Sequence, residues 1–396
     1  MRTLKVLFLV FFWSTFICRI SAQVELSENT EVSILTIGPG AVLEDGFGHS
    51  ALRIKDRSNK LDLVFDYGRY DFEADGFYLN FAKGRLTYEI GWTDFKGFIS
   101  TYKQQKRRVF AQTINLSYLE KKQLFKRLLQ NIQTQNKSYS YDFFYNNCAT
   151  KITDIIDEVT QDTVIFLAGE PQTTMTFRDL IHSHIPENSW GGFGIDIALG
   201  SEIDRVTSLK EQLFLPKNMS EILNHSRYEK REEKLILKTE VLLGDQNSYV
   251  VSFWISPLIA IGLVSILILF FTYHDWRKKT RNRLLDSFIF LITGLFGLLV
   301  LFLWFGTEHT ATAFNYNFLW AFAFNLLLIP TVLKTEVKKR FMAYLKFLIL
   351  MLFLMLLHWF TGVQSFNFVL IPLWIALTIR YIYVLQWSNQ NLKLQS

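Results

Sequence analysis

Five long apolar segments fill the last third of the chain, and they constrain its fold more than any other feature. They cover residues 250–273, 284–305, 318–333, 341–360 and 366–384. Each approaches the length of about 20 residues that a helix needs to cross a bilayer. The third is the shortest and spans comfortably only if residues 311–317 extend it; its Asn325 is expected to bond to a neighbouring helix. We therefore predict an all-α transmembrane domain of about five spans over residues 250–396.

The basic residues beside these segments predict the orientation of the chain. Loops 274–283 and 334–340 contain five and four Lys or Arg residues, whereas loops 306–317 and 361–365 contain none. Because basic loops stay in the cytoplasm, the region before residue 250 is expected outside and the C-terminus inside. The net charge of the chain is +6, and many of its basic residues lie beside apolar segments. The charge therefore does not indicate a nucleic-acid partner.

The N-terminus has the pattern of a secretory signal peptide. Basic residues precede an apolar run over residues 6–17, and small residues before Gln23 offer a cleavage point after Ala22. We predict that residues 1–22 are removed, an uncleaved anchor helix being the alternative. Export agrees with the orientation that the basic loops predict. Cleavage would also remove Cys18 and leave Cys148 without a partner for an intrachain disulfide.

Residues 23–227 are long enough for one exported domain, and their pattern predicts an α+β fold. β-Branched and aromatic residues predict strands near 31–37, 50–55, 61–67, 85–92 and 107–115. Ser117 and Glu120 form a capping-box pattern at the start of a helix, and short helices with loops are expected over residues 175–227. The charged, amphipathic residues 228–249 are interpreted as a stalk to the membrane.

Cys148 is predicted to stand at the N-terminus of a helix. Apolar residues follow it at offsets of 4, 7, 8 and 11, which is one helix face, and Asn147 before it is a good N-cap. The helix dipole and the free N–H groups there favour a thiolate and could hold an oxyanion. A nucleophile and an inert buried cysteine are both compatible with this pattern.

His49 is the histidine best placed to serve such a thiol. It follows Gly46 and Gly48 and comes just before a predicted strand, and a histidine there can face a helix N-terminus packed on the sheet. The remaining histidines are expected on the surface (His182, His184, His225), at the outer membrane face (His309, His358) and in the cytoplasm (His274).

The order of several short stretches resembles the Lnb-type lipoprotein N-acyltransferases. These stretches are FGHSALRI (47–54), FDYGRYDF (65–72), FYLNFAKG (77–84) and YNNCAT (145–150), followed by WGGFGIDIALG (190–200) and GTEHTATAFNYNFLW (306–320). The resemblance thus covers nearly the whole chain. It implies a periplasmic domain similar to circularly permuted papain-like enzymes, in which histidine precedes cysteine. It also implies a multi-pass protein of the bacterial inner membrane.

The resemblance further implies a reaction without a cofactor. Cys148, with His49 as base and acid, would take an acyl chain from a phospholipid as a thioester and pass it to the α-amine of a diacylglyceryl apolipoprotein. Asp66 and Tyr67 are candidates to orient the imidazole, although a turn residue is the favoured interpretation of Asp66. Asn147 is a further candidate for orienting or oxyanion binding.

The segment that follows the second predicted span carries polar and aromatic residues. Glu308, His309, Asn315, Asn317 and Trp320 are candidates to bind a lipid headgroup or the acceptor amine. The alternative is a polar cap between two helices, flanked by an interfacial aromatic belt. The resemblance favours the binding role.

Other functions remain open from the sequence. Permuted papain-like domains also cleave peptides and amides, so a membrane-anchored periplasmic cysteine peptidase or amidase acting on cell-wall peptides is the main alternative. An inactive lipid- or lipoprotein-binding protein is another. An apolar groove toward the membrane would favour acyl transfer, and a polar groove toward solvent would favour the peptidase. No HExxH, CxxC or acidic cluster of ligand spacing predicts a metal.

Overall fold

The computed structural model describes residues 25–70, 73, 75–160, 162–169, 174–244, 254–335 and 338–395. The predicted signal peptide, residues 1–22, lies outside the described residues. The chain forms a sheet-rich α/β domain followed by a helical C-terminal region.

An antiparallel sheet organises the N-terminal domain. Its seven strands have the order β6-β4-β3-β2-β1-β5-β9. They are β1 (Glu31–Ile37), β2 (His49–Asp56), β3 (Leu61–Arg69), β4 (Thr87–Asp94), β5 (Val109–Ile114), β6 (Ser138–Ser140) and β9 (Ile236–Leu243), while β7 (Val164–Ile165) and β8 (Arg227–Tyr228) pair separately. The five strands predicted from β-branched and aromatic content are confirmed.

Helices cover both faces of this sheet. The described α-helices of the N-terminal domain, of which only some pack on the sheet, are α1 (Phe77–Lys83), α2 (Phe95–Gln104), α3 (Tyr118–Asn131), α4 (Cys148–Val159), α5 (Phe177–His182), α6 (Trp190–Ala198), α7 (Leu209–Gln212) and α8 (Pro216–His225). The apolar face of α4 enters the main core through Ile152 and Ile156, and α2 inserts Phe98 into the core on the other face. The capping box of Ser117 and Glu120 forms at the start of α3, as predicted.

The predicted stalk differs from the structure in its central part. Ile236–Leu243 forms β9, an edge strand that pairs with β5. Only Ile236 of this strand is buried, whereas Lys238 and Glu240 are exposed and pair with each other. Charged side chains are typical of a sheet edge because they discourage pairing with other chains. Residues 245–249 lie outside the described residues.

The described part of the C-terminal region contains four helices that are long and apolar enough to cross a membrane. They are α9 (Pro257–Lys278), α10 (Arg283–Phe305), α12 (Lys339–Phe360) and α13 (Ile371–Gln395). The predicted span 318–333 instead contains the end of a 3-10 helix (Tyr316–Leu319) and the short α-helix α11 (Asn325–Val332). Its buried Asn325 donates to Thr293 (2.8 Å) and accepts from Tyr344 (2.6 Å). The hydrogen bond expected of Asn325 is therefore confirmed. Four candidate spans are found among the described residues, and the five-span count stays a prediction.

The outer loop, residues 306–317, joins the two regions. The side-chain amide of Asn315 donates to the carbonyl of Ile197 on α6 (2.8 Å). Thr310 donates to the carboxylate of Asp142, in the segment before Cys148 (3.0 Å). The outer loop therefore lies on the same side of the membrane helices as the N-terminal domain.

Labelling of introduced cysteines should report this arrangement. In a chain without Cys148, we expect an impermeant maleimide to label Glu308→Cys in right-side-out membrane vesicles. Lys278→Cys, at the other end of the spans, should react only after permeabilisation. Both positions are exposed, and loss of the exposed Glu308 ion pair costs little. The reverse pattern would contradict the predicted orientation.

Candidate active site

Asn147 fixes the position of Cys148 at the start of α4. Its Oδ1 accepts hydrogen bonds from the N–H groups of Ala149 (2.8 Å) and Thr150 (3.0 Å). Its Nδ2 donates to two backbone carbonyls, each at 2.7 Å. Because both amide hydrogens are engaged, the oxyanion role considered for Asn147 does not fit. Asn147 is the N-cap that positions the thiol.

The sheet brings His49 to the same place. His49 is the first residue of β2, and α4 packs against β2 and β3. Gly68 of β3 lies between the two side chains: a Cβ atom there would be 3.7 Å from Cβ of Cys148 and 3.9 Å from Cε1 of His49. Its φ of +92° is also one that other residues rarely adopt. The predicted proximity of Cys148 and His49 is therefore found, with glycine leaving the space beside them open.

The electrostatics favour a charged pair. Burial acts to raise the pKa of Cys148, but the charge and hydrogen bond of His49, with the N–H groups of Ser50 and Ala149, outweigh it and lower this pKa. Burial acts to lower the pKa of His49, but the Cys148 thiolate, Tyr102 and the nearby Asp66 carboxylate outweigh it and raise this pKa well above its ordinary value. The two shifts favour a thiolate beside an imidazolium.

Asp66 lies behind the imidazole. Its Oδ2 is 3.6 Å from Nε2 of His49, and the Arg69 guanidinium holds its other oxygen, with Nε at 3.0 Å. Burial acts to raise the pKa of Asp66, but the nearby His49 and the hydrogen-bonded Arg69 outweigh it and lower this pKa, so the carboxyl is ionised. Asp66 belongs to strand β3, so the favoured interpretation as a turn residue was wrong.

Arg69 was not identified from the sequence. A strand alternates its side chains, so residues three apart normally face opposite sides. The register of β3 against β4 shifts between Asp66 and Arg69, and this irregularity brings the two side chains together. The glycine at position 68, between them in FDYGRYDF, was the available signal.

Tyr67 does not orient the imidazole. It follows Asp66 in β3, so its side chain points to the other face of the sheet. There it is buried in the main core, and its hydroxyl accepts a hydrogen bond from Asn131 (2.7 Å). Its role as an orienting candidate is therefore replaced by a role in packing.

Two tyrosines that the sequence analysis did not single out flank the thiol. Burial, followed by the charge of Cys148, raises the pKa of both Tyr139 and Tyr141. Their hydroxyls therefore remain protonated beside the thiolate. Their alternate spacing, before and after Ser140, was the only sequence signal that they share a face.

Asn315 and Asn317 of the outer loop, and Trp320 just after it, have structural roles. Asn315 and Asn317 are buried and donate to carbonyls of α6, with Asn317 bonded to Asp196 at 2.9 Å. Trp320 is also buried and donates to Oδ1 of Asn317 (2.9 Å). Because these groups are used within the protein, they fit the polar-cap interpretation, and their predicted binding role does not fit.

The other two outer-loop candidates lie against α1. The Glu308 carboxylate pairs with Arg85 at 2.7 Å, and both side chains are exposed. Nε2 of His309 lies 3.0 Å from the carbonyl oxygen of Phe81. These contacts place Glu308 and His309 at the edge of the N-terminal domain and do not place them beside the thiol.

One group of side chains has the composition of a metal site. His182, Glu187 and Asp196 each offer a ligand atom, within 4.8 Å of one another. The buried Asp196 carboxylate already accepts from Arg178 (2.6 Å), His182 (3.0 Å) and Asn367 (2.8 Å). These contacts indicate a hydrogen-bonded ion network. His182 is half-buried in it, so the expectation of a surface histidine was wrong.

The reactivity of Cys148 should report the charged pair. Because its pKa is lowered, we expect alkylation by iodoacetamide to stay fast at pH values well below the ordinary thiol pKa of about 8.5. Asp66→Asn should shift the midpoint to higher pH, since it removes the charge that stabilises the imidazolium. Mass spectrometry of the peptide containing Cys148 would measure the rate.

Asp62→Asn is the matched control for this substitution. Asp62 lies on the same strand and pairs with Arg53, so its replacement should leave the midpoint unchanged. An unshifted midpoint in Asp66→Asn would contradict the orienting role of Asp66.

Two family models match the chain. The model described as the Lnb N-terminal periplasmic domain matches residues 18–183, and the one described as the Lnb transmembrane domain matches residues 248–391. The first match contains Cys148 and His49, and the second contains the outer loop. No curated protein and no solved structure matches the chain.

Proposed function

The chain belongs to the Lnb family, whose periplasmic and transmembrane domains it contains, and we propose that it is a lipoprotein N-acyltransferase. The donor is a phospholipid of the outer leaflet, and the acceptor is the α-amine of a diacylglyceryl apolipoprotein. Cys148 carries the acyl chain as a thioester, and His49 moves the protons.

The attachment of the active-site loop to the membrane region carries this proposal. Asp142 lies six residues before Cys148 and bonds to Thr310 of the outer loop. The dyad therefore stands next to the outer ends of the spanning helices. A peptidase that cleaves cell-wall peptides gains nothing from this position. The phospholipid donor and the lipidated acceptor, in contrast, are both embedded in the outer leaflet. The position thus supports acyl transfer over peptide cleavage.

The first half-reaction forms the thioester. The Cys148 thiolate attacks the carbonyl carbon of the donor ester. The backbone N–H of Cys148, at the first position of α4, then donates to the developing oxyanion. The bond from the acyl carbon to the glycerol oxygen breaks. The His49 imidazolium protonates that oxygen, and a lysophospholipid leaves.

The second half-reaction passes the chain to nitrogen. The neutral α-amine of the apolipoprotein attacks the thioester carbonyl, and His49, now neutral, accepts its proton. The carbon–sulfur bond breaks, which returns the thiolate beside the imidazolium. One ester and one amine thus become one alcohol and one amide. Asp66, held by Arg69, keeps the imidazole oriented in both steps.

Purified protein in phospholipid vesicles tests this function. With a radiolabelled acyl donor and no acceptor, we expect label on Cys148 that neutral hydroxylamine releases, because thioesters react with it. Addition of a diacylglyceryl peptide should move the label to its N-terminus, as mass spectrometry would show. If the protein cleaves muropeptides and leaves lipid donor and acceptor unchanged, the peptidase alternative stands instead.

A further inference from the structure

Helix α1 is held at the level of the membrane surface. The spanning helix α10 has 23 residues, about 35 Å of helix, which matches a hydrocarbon core of about 30 Å. Only three residues beyond its end at Phe305, the N–H of Glu308 donates to the carbonyl of Lys83 at the end of α1 (2.8 Å). Gly84, after α1, permits this approach: a Cβ there would lie 2.6 Å from the backbone nitrogen of His309.

The exposed side chains of α1 are aromatic or aliphatic except for that of Asn80. None of its seven residues is buried. Tyr78, Leu79 and Phe81 are 74%, 59% and 50% exposed. Adjacent exposed apolar side chains are unfavourable in water, whereas aromatic and aliphatic groups are favoured at the boundary between headgroups and acyl chains. The position of α1 and its aromatic and aliphatic side chains therefore both fit the boundary between lipid headgroups and acyl chains.

A row of aromatic rings runs from α1 toward the thiol. The rings of Phe81 and Phe77 stack with centroids 6.2 Å apart, and Phe77 stacks on Tyr70 at 6.1 Å. The ring of Tyr70 then contacts that of Tyr88, with centroids 5.0 Å apart, and Tyr88 stacks on Tyr141 at 4.1 Å.

Both ends of this row are anchored. At the membrane end, the ring of His309 in the outer loop contacts Phe81. At the other end, burial and then the charge of Cys148 raise the pKa of Tyr141, so this residue lies near the thiol. Tyr70, midway along the row, follows by two residues the Gly68 that lies beside Cys148 and His49. Consecutive ring contacts thus lead from the membrane surface to the neighbourhood of the dyad.

We propose that α1 inserts into the outer leaflet and that this aromatic row guides the acyl chain of the phospholipid donor to Cys148. The occupant is a fatty acyl chain, because the row is continuous with the membrane region and aromatic faces suit an apolar chain. This inference rests on the proposed acyl transfer and adds the route of its donor.

Fluorescence quenching tests the insertion of α1 without catalysis. In a chain with Cys18→Ser and Cys148→Ser, Leu79→Cys is labelled with an environment-sensitive fluorophore and placed in vesicles of phospholipids brominated on the acyl chains. We expect quenching at position 79. Leu119→Cys is the matched control, because Leu119 is 60% exposed on α3. Quenching that is absent at 79, or equal at both positions, would overturn the insertion.

Donor preference tests the route. The rate of thioester formation with long-chain phospholipid vesicles is divided by the rate with soluble dibutyryl phosphatidylcholine. We expect Leu79→Ser and Phe77→Ala to lower this ratio about tenfold, and Leu119→Ser to leave it unchanged. An active protein whose ratio is unaffected by the first two substitutions would overturn the route alone. Quenching at position 79 in a protein that forms no thioester with either donor would instead overturn the proposed acyl transfer.

Discussion

Replacement of Cys148 by serine should reduce acyl transfer to apolipoprotein by on the order of 10³-fold or more. The sulfur has a lowered pKa because His49 and two backbone N–H groups stabilise its anion. A serine hydroxyl in the same place remains protonated, since its pKa lies far above that of a thiol. The hydroxylamine-sensitive label should disappear with the activity.

His49→Ala should be about as damaging as Cys148→Ser. The two groups act as one unit, so the double variant should be no slower than either single variant. His225→Ala is the matched control, because His225 is exposed at the end of α8 and should leave the rate unchanged. Near wild-type transfer by Cys148→Ser would exclude the thioester mechanism.

The elements that place this pair could be predicted because their signals are local. Strands β1 to β5 follow from β-branched and aromatic runs, and the start of α4 follows from an N-cap and one apolar face. The pairing of Cys148 with His49 then needed only one further assumption, that the helix packs on the sheet near the start of β2. Apart from that assumption, these predictions needed no knowledge of contacts between distant segments.

The features that the sequence did not predict depend on such distant contacts. The register shift between β3 and β4 brings Arg69 to Asp66, and Gly68 is its one local sign in the sequence. Asn315 and Asn317 read as ligand-binding residues in an exposed loop, yet both are buried against α6, more than a hundred residues earlier in the chain. From sequence alone, polar residues that join two folded regions resemble ligand-binding residues, because the segment that they contact is not known.

The structure also predicts where the joint between the two regions is most vulnerable. Arg178 is 2% exposed and bonds to the buried carboxylates of Asp196 (2.6 Å) and Asp204 (2.9 Å). Asp196 also accepts a hydrogen bond from the side-chain amide of Asn367, and Asp204 accepts one from the N–H of Ser365. Both donors lie just before α13. One guanidinium thus neutralises two carboxylates that attach the N-terminal domain to the membrane region.

Arg178→Met should therefore lower the free energy of unfolding by about 3–5 kcal/mol, because it leaves buried carboxylates uncompensated. Arg205→Met is the matched control: Arg205 is 42% exposed and pairs with Glu211 at the surface, so its loss should cost about 1 kcal/mol or less. Adding Asp204→Asn to Arg178→Met should restore part of the stability, since one of the unpaired charges is then removed. Denaturant titration in detergent micelles, followed by tryptophan fluorescence, would measure all three variants. An Arg178→Met loss as small as that of Arg205→Met would mean that the ion network does not hold the two regions together.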